Sequence, residues 1–143
     1  MGWVTIRSTT AERELRSAVA LNPNYASAHS WLGRVMQSQG RTDEALAELR
    51  LATEIDPLSP IELTNYCGRL VEAGRETEAI AALDAPEQYV NSLGYVLYDR
   101  RCDPIRSDPR FTEYLAELGL TEAHARAQAW RAAHPPEKPA GKP

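Results

Sequence analysis

The feature that most constrains the fold is a set of small and apolar residues that recurs every 34 positions. The interval relates Gly40 to Gly74, Ala45 to Ala79, Leu49 to Leu83 and Pro23 to Pro57, and counting back from Ala45 and Leu49 it reaches Ala11 and Leu15. A period of this length is typical of a helix–turn–helix unit that stacks on its neighbours into a solenoid. The spacing therefore predicts an all-α chain, a short right-handed α-solenoid of antiparallel helix pairs with about seven helices.

The best-formed repeat spans residues 26–59 and reads ASAHSWLGRVMQSQGRTDEALAELRLATEIDPLS. Small residues at Gly33 and Ala45 predict that the backbones of its two helices approach closely. Thr42 is a candidate cap of the second helix, because a threonine hydroxyl can accept from a free amide of the first turn. Pro57 cannot continue a helix, so we expect the second helix to end before it.

The segments on either side of this repeat are incomplete. Residues 9–20 read as a second helix alone, with Thr9 and Glu12 spaced as a capping box. Only residues 1–8 precede it, an N-terminal segment too short for the missing first helix, so we expect the chain to begin within a repeat. The hydrophobic side of residues 9–20 would then lack a cover, and this predicts a possible homodimer through that helix.

Downstream, the period fades. Ser59 followed by proline predicts the start of a degenerate repeat over residues 60–86. Residues 87–133 are expected to form a helical C-terminal cap that completes one repeat domain over residues 9–133. Within the cap we expect a helix over 86–98, a loop over 100–106, and helices that begin near Asp108 and Thr121. The Pro-rich tail, residues 134–143, is expected to be disordered.

The residue types of the full repeat resemble those of the tetratricopeptide repeat. The first helix carries Leu32, Gly33 and Met36, and the second carries Ala45, Leu49, Ala52 and Pro57, all in one register. The sequence departs from the pattern at His29, where the family usually has tryptophan. The resemblance implies a non-enzymatic scaffold for protein–protein interaction that binds a peptide or protein partner on its concave helix face.

The resemblance also implies which side chains meet the partner, because the family places ligand contacts on inward-facing positions of each first helix. These map onto Ser27, Ser30, Arg34, Gln37 and Ser38 in the full repeat, and onto Ile61, Thr64, Asn65, Gly68, Val71 and Glu72 in the next. One sub-family clamps a C-terminal carboxylate with lysine and asparagine at such positions. Here only Asn65 matches, and Ser30 and Arg34 replace the pair in the first unit. Arg34 is a candidate for bidentate carboxylate binding, and a solvated charge is the alternative.

A second resemblance leads to a different function. The segments DPIRSDPRFTEYLAELGL, AHSWLG and DPLSP are similar to phrases in the repeat regions of bacterial winged-helix transcriptional activators and class III adenylate cyclases. This resemblance implies a regulatory or sensory C-terminal fragment of a larger regulator or cyclase. None of the DNA-binding or cyclase residues of those families lies in this chain.

Composition and charge argue against other classes of function. Sixteen basic residues are interspersed with twenty acidic ones, for a net charge of −4. The chain therefore has no basic stripe for nucleic acid. The three histidines share no ligand spacing with cysteines or carboxylates, and no phosphate-binding loop or nucleophile motif occurs, so no metal, no cofactor and no enzymatic activity is expected. With no membrane span, no signal peptide and only two cysteines, a cytoplasmic location is expected.

Overall fold

The computed structural model describes residues 2–83 and 99–135, and the side chains from residue 9 onwards within those ranges. These ranges contain seven α-helices and one 3-10 helix, and no strand. The helices are α1 (Gly2–Leu21), α2 (Ala26–Ser38), α3 (Thr42–Ile55), α4 (Pro60–Glu72), α5 (Glu76–Leu83), the 3-10 helix η1 (Arg100–Ile105), α6 (Pro109–Glu117) and α7 (Thr121–Ala133). The predicted all-α class is confirmed.

The first five helices, α1 to α5, pack on one another in the order of the sequence. α2 packs on α3 and α4 on α5, while α1 lies against α2 and α3 against α4. The turns within the two pairs contain Gly40 and Gly74, whose φ angles of 77° and 71° are accessible to glycine at little cost. In each pair the chain therefore reverses direction within a few residues. The result is the short solenoid of helix pairs that the 34-residue period predicts.

The same close approach occurs in both pairs, one period apart. A Cβ atom on Gly33 in α2 would lie 2.9 Å from the carbonyl oxygen of Ala45 in α3. One period later, the fully buried Cys67 of α4 places its sulfur 3.8 Å from the carbonyl oxygen of Ala79 in α5. Small residues at this crossing let two backbones approach closely, as the sequence predicts.

Two groups of buried residues fill the space between the helices. In the first, Leu32, Met36 and Ala45 pack together, with Leu15 and Val19 of α1 lying partly buried against them. The second is larger and joins α4 and α5 to the C-terminal helices through residues such as Leu70, Ile105 and Phe111. The C-terminal segment thus completes the core of the second helix pair, which could not bury its apolar face alone.

Several expected helix boundaries are wrong. Thr9 does not cap a helix, because α1 begins at Gly2 and runs through it. Thr42 does not cap α3 either, since it lies inside the first turn and Arg41 precedes the helix. The expected loop over 100–106 is largely the 3-10 helix η1, because the Asp99 carboxylate accepts from the Arg101 amide at 2.9 Å and stabilises its first turn.

Two of the predicted helix starts are confirmed. The Ser59 hydroxyl accepts from the amide of Glu62 at 3.4 Å, and the Asp108 carboxylate accepts from the amide of Arg110 at 2.9 Å, each just before a proline at the start of a helix. The helix expected over 86–98 and the tail beyond Pro135 lie outside the described residues. The division into a full repeat, a degenerate repeat and a cap stays a prediction.

Candidate functional site

A groove of about 320 Å³ lies between α2 and α4, and the turn that precedes α4 forms one wall of it. We call it the α2–α4 groove. Its lining residues are Ser27, Ser30, Trp31 and Arg34 from α2, Asp56 and Ser59 from the turn, and Ile61, Glu62 and Asn65 from α4. Of the residues that the family resemblance maps to partner contacts, Ser27, Ser30, Arg34, Ile61 and Asn65 meet here.

The apolar part of the groove is exposed although its side chains are large. Trp31 is 54% exposed and Ile61 is 60% exposed. The guanidinium carbon of Arg34 lies 4.4 Å from the centre of the Trp31 ring, a cation–π contact that orients both side chains. An exposed aromatic ring held in place by its neighbour can bury much apolar area on binding at little cost in side-chain entropy.

The polar part of the groove centres on Glu62, which is only 5% exposed. Its carboxylate accepts a hydrogen bond from the Ser30 hydroxyl, 32 positions earlier. The spacing from Ser59 to Glu62 would allow a reciprocal capping box, in which the carboxylate bonds to the Ser59 amide. That amide instead donates to the carbonyl oxygen of Asp56 at 3.2 Å. The Glu62 carboxylate is therefore diverted from the helix cap into the groove.

The remaining predicted contact residues do not line this groove. Ser38 donates to the carbonyl oxygen of Val35 at 2.7 Å, and the buried Thr64 donates to that of Pro60 at 2.6 Å. Both hydroxyls are thus bonded within their own helices. Gln37 is half-buried, and its side-chain oxygen has no hydrogen-bond partner among the described residues.

The C-terminal half of α4 is covered by the chain itself. The side chain of Arg101 in η1 lies over Gly68, where an added Cβ atom would be 2.8 Å from its Nε. Two bonds of 2.6 and 3.1 Å to the Asp99 carboxylate hold this arginine. Glu72 is exposed and pairs with Arg69 at 2.6 Å. The surface of α4 around Gly68 is therefore covered by the Arg101 side chain.

Sequence reasoning missed four residues of the groove. Asp56 and Ser59 belong to a turn, and the resemblance maps partner contacts only to first helices. Trp31 and Glu62 lie on first helices but off the mapped positions. Glu62 stands three residues after Ser59, but its burial depends on a contact with Ser30 that no local pattern reveals.

His29, at the position where the family usually has tryptophan, lies outside the groove and is 3% exposed. Its Nδ1 lies 2.6 Å from a carboxylate oxygen of Glu48 in α3, and its Nε2 lies 3.0 Å from the carbonyl oxygen of Pro23. Both ring nitrogens thus have polar partners inside the protein. The substitution replaces an apolar contact with hydrogen bonds that join α2 to α3 and to the turn before α2.

A second cleft of about 320 Å³ lies between α5 and α6. Its lining residues are Thr77, Ile80, Ala81, Arg110, Glu113, Tyr114 and Glu117. The guanidinium of Arg110 pairs with the Asp108 carboxylate at 2.7 Å. No predicted partner residue lines this cleft.

Within the described ranges, no group of three or more histidine, cysteine, aspartate or glutamate residues could hold a metal ion. No helix in that part of the chain is both long and apolar enough to cross a membrane.

Part of the chain matches a known protein family. The family model described as "Tetratricopeptide repeat" matches residues 8–63, which include α2, α3 and most of the lining of the α2–α4 groove. These residues are therefore related to tetratricopeptide repeats, which generally mediate protein–protein interaction and are typically non-catalytic. A comparison with curated proteins gives no significant match.

Proposed function

We propose that the protein is a non-enzymatic scaffold that binds a peptide or protein partner in the α2–α4 groove, on the concave helix face. The observation that carries this proposal is the exposed pair of Trp31 and Ile61 on either side of a groove with convergent polar groups. Concave apolar surface with a few placed polar groups is the usual form of a binding site. Exposed tryptophan is also the residue type most enriched at interface hot spots.

The polar residues of the groove suit a peptide main chain and its side chains. Asn65 offers both a donor and an acceptor, and so can pair with a backbone amide and carbonyl. Arg34, held against Trp31, presents a planar set of donors that can grip a carboxylate of the partner in a bidentate way. The groove is large enough for a few side chains rather than for a folded domain. We therefore propose a short peptide segment as the part of the partner that enters it.

Selection from a phage-displayed library of random dodecapeptides tests the proposal. We expect wild-type protein to enrich a family of related peptides, and Trp31→Ala to bind them at least roughly tenfold more weakly. Trp130→Ala is the matched control, because Trp130 is 52% exposed, like Trp31, but lies on α7 away from the groove. Equal binding by Trp31→Ala and wild type would contradict the proposal.

The alternative function is that of a regulatory or sensory C-terminal fragment of a larger bacterial transcriptional regulator or adenylate cyclase. Its support is the sequence resemblance around residues 103–120, which lie outside the family match. A reading frame that continues upstream of Met1 into a winged helix or a cyclase domain would favour it. We also propose a cytoplasmic location, supported by the free thiols of Cys67 and Cys102, which suit a reducing compartment.

A further inference from the structure

The Glu62 carboxylate is a nearly buried charge on the wall of the α2–α4 groove. Its side chain makes one hydrogen bond to the described residues, and the donor is the neutral hydroxyl of Ser30. Glu62 forms no ion pair with any of the described residues. A carboxylate with two oxygens can accept about four hydrogen bonds, so most of its capacity is left for other donors.

A buried anion without a cation is unfavourable, because it loses hydration that one neutral donor does not replace. The position of Glu62 in the first turn of α4 offsets part of this cost, since the free amides of a helix N-terminus favour negative charge. One candidate for an internal cation is Arg34, which lines the same groove. Its guanidinium stacks on Trp31 instead and forms no ion pair with Glu62. The carboxylate therefore has no cation beside it among the described residues.

Resting on the proposed function, we infer that the groove selects peptides that insert a basic side chain, arginine or lysine, beside Glu62. Asp56 lines the same groove and adds a second negative charge at an exposed position. The stem of a long basic side chain can pack on apolar surface while its charged end reaches a carboxylate, and Ile61 supplies such a surface one residue before Glu62. The partner then provides a cation for Glu62 that none of the described residues supplies.

The peptides selected on wild-type protein test this inference. We expect them to share arginine or lysine at one fixed position, and Glu62→Gln used as bait to lose that preference. The variant keeps the size of the side chain and an acceptor for Ser30, so circular dichroism should show an unchanged fold. Asp56→Asn is the matched control in the same groove, and we expect a smaller effect because Asp56 is exposed and screened by solvent.

A double-mutant cycle measures the contact itself. One selected peptide is compared with its counterpart in which citrulline replaces the shared arginine, or acetyl-lysine the shared lysine, on wild type and on Glu62→Gln. We expect each single change to weaken binding roughly 30-fold or more. The two changes together should weaken binding little more than either change alone.

The outcomes separate this inference from the proposed function. Peptides that need Trp31 but share no basic residue, or that bind Glu62→Gln as tightly as wild type, would overturn the basic-residue preference and leave the groove as the binding site. Selected peptides that bind Trp31→Ala as well as wild type, or no enrichment at all, would contradict the proposed function and this inference with it.

Discussion

The carbonyl oxygen of Ala45 and the α-carbon of Gly33 meet so closely that a Cβ atom on residue 33 would lie 2.9 Å from that oxygen. The Cγ atom of Leu49 stands at the same distance. Two rigid helices therefore cross at a point where even a methyl group has no room. This contact holds α2 against α3, and α2 carries one wall of the α2–α4 groove.

Gly33→Ala should lower the free energy of unfolding by about 1–3 kcal/mol, because the methyl group forces the two helices apart. The direction of this change is informative, because replacing glycine with alanine in an ordinary helix raises the free energy of unfolding by about 1 kcal/mol. Gly68→Ala is the comparison variant, because the atoms nearest its added Cβ belong to the Arg101 side chain and not to the backbone of a second helix. We expect a smaller loss of stability there, since a side chain can shift where a packed backbone cannot. Urea denaturation measures both variants. A Gly33→Ala protein at least as stable as wild type would mean that the helices do not cross as described.

Glu12 should stabilise the protein at neutral pH and lose that effect in acid. Hydrogen bonds from Arg41, Gln39 and Arg16 lower the pKa of the Glu12 carboxyl from 4.5 to about 2, and the first two join α1 to the turn between α2 and α3. Because the folded pKa lies below the unfolded value, the contribution is full above about pH 4.5 and disappears as the pH falls through about 2.

Glu12→Gln should therefore be less stable than wild type in urea at pH 7, and the difference should shrink between pH 4.5 and 2. Glu14→Gln is the control on the same helix, because among the described residues Glu14 pairs only with its exposed neighbour Arg13, at 3.0 Å. Such an exposed pair should contribute little to stability. A difference between Glu12→Gln and wild type that stays constant over this range would show that the charge of Glu12 contributes nothing.

The two cysteines should be unreactive in the native protein. Both are fully buried, and burial raises the pKa of the Cys102 thiol to about 11 and that of Cys67 well above its usual range. Only the thiolate attacks a disulfide reagent, so Ellman's reagent should label native protein slowly at pH 8 and both thiols rapidly in urea. Rapid labelling of one thiol without urea would show that the core around α4 and η1 opens readily.

Self-association through residues 9–20 stays a prediction. Leu15 and Val19 are partly covered by α2, and the exposed positions are polar except for Ala20. If two copies meet at this helix, light scattering should give a mass that rises with concentration towards that of a dimer. Ala20→Glu, at an exposed position that should not affect folding, should then reduce association. A monomeric mass at every concentration would rule out the dimer.

The sequence predicted those features that depend on local chemistry or on the repeat. The 34-residue grid places Gly33 against Ala45, and a capping residue before proline marks the start of α4. Contacts between distant residues could not be predicted in this way. Ser30 draws the Glu62 carboxylate away from its own helix cap, and Arg101 covers Gly68 from a segment where the period is lost. The family resemblance therefore maps five residues that line the groove, but it does not indicate the buried Glu62 carboxylate.

The most direct test of the binding site is nitrogen–proton NMR of the labelled protein during titration with a selected peptide. The indole NH signals of Trp31 and Trp130 report on two places in the protein, one in the α2–α4 groove and one on α7. We predict that the Trp31 indole and the Asn65 side-chain amide shift with a common saturation curve, while the Trp130 indole does not move. Saturating shifts at Trp130 or around the cleft between α5 and α6, with Trp31 and Asn65 unchanged, would contradict the account.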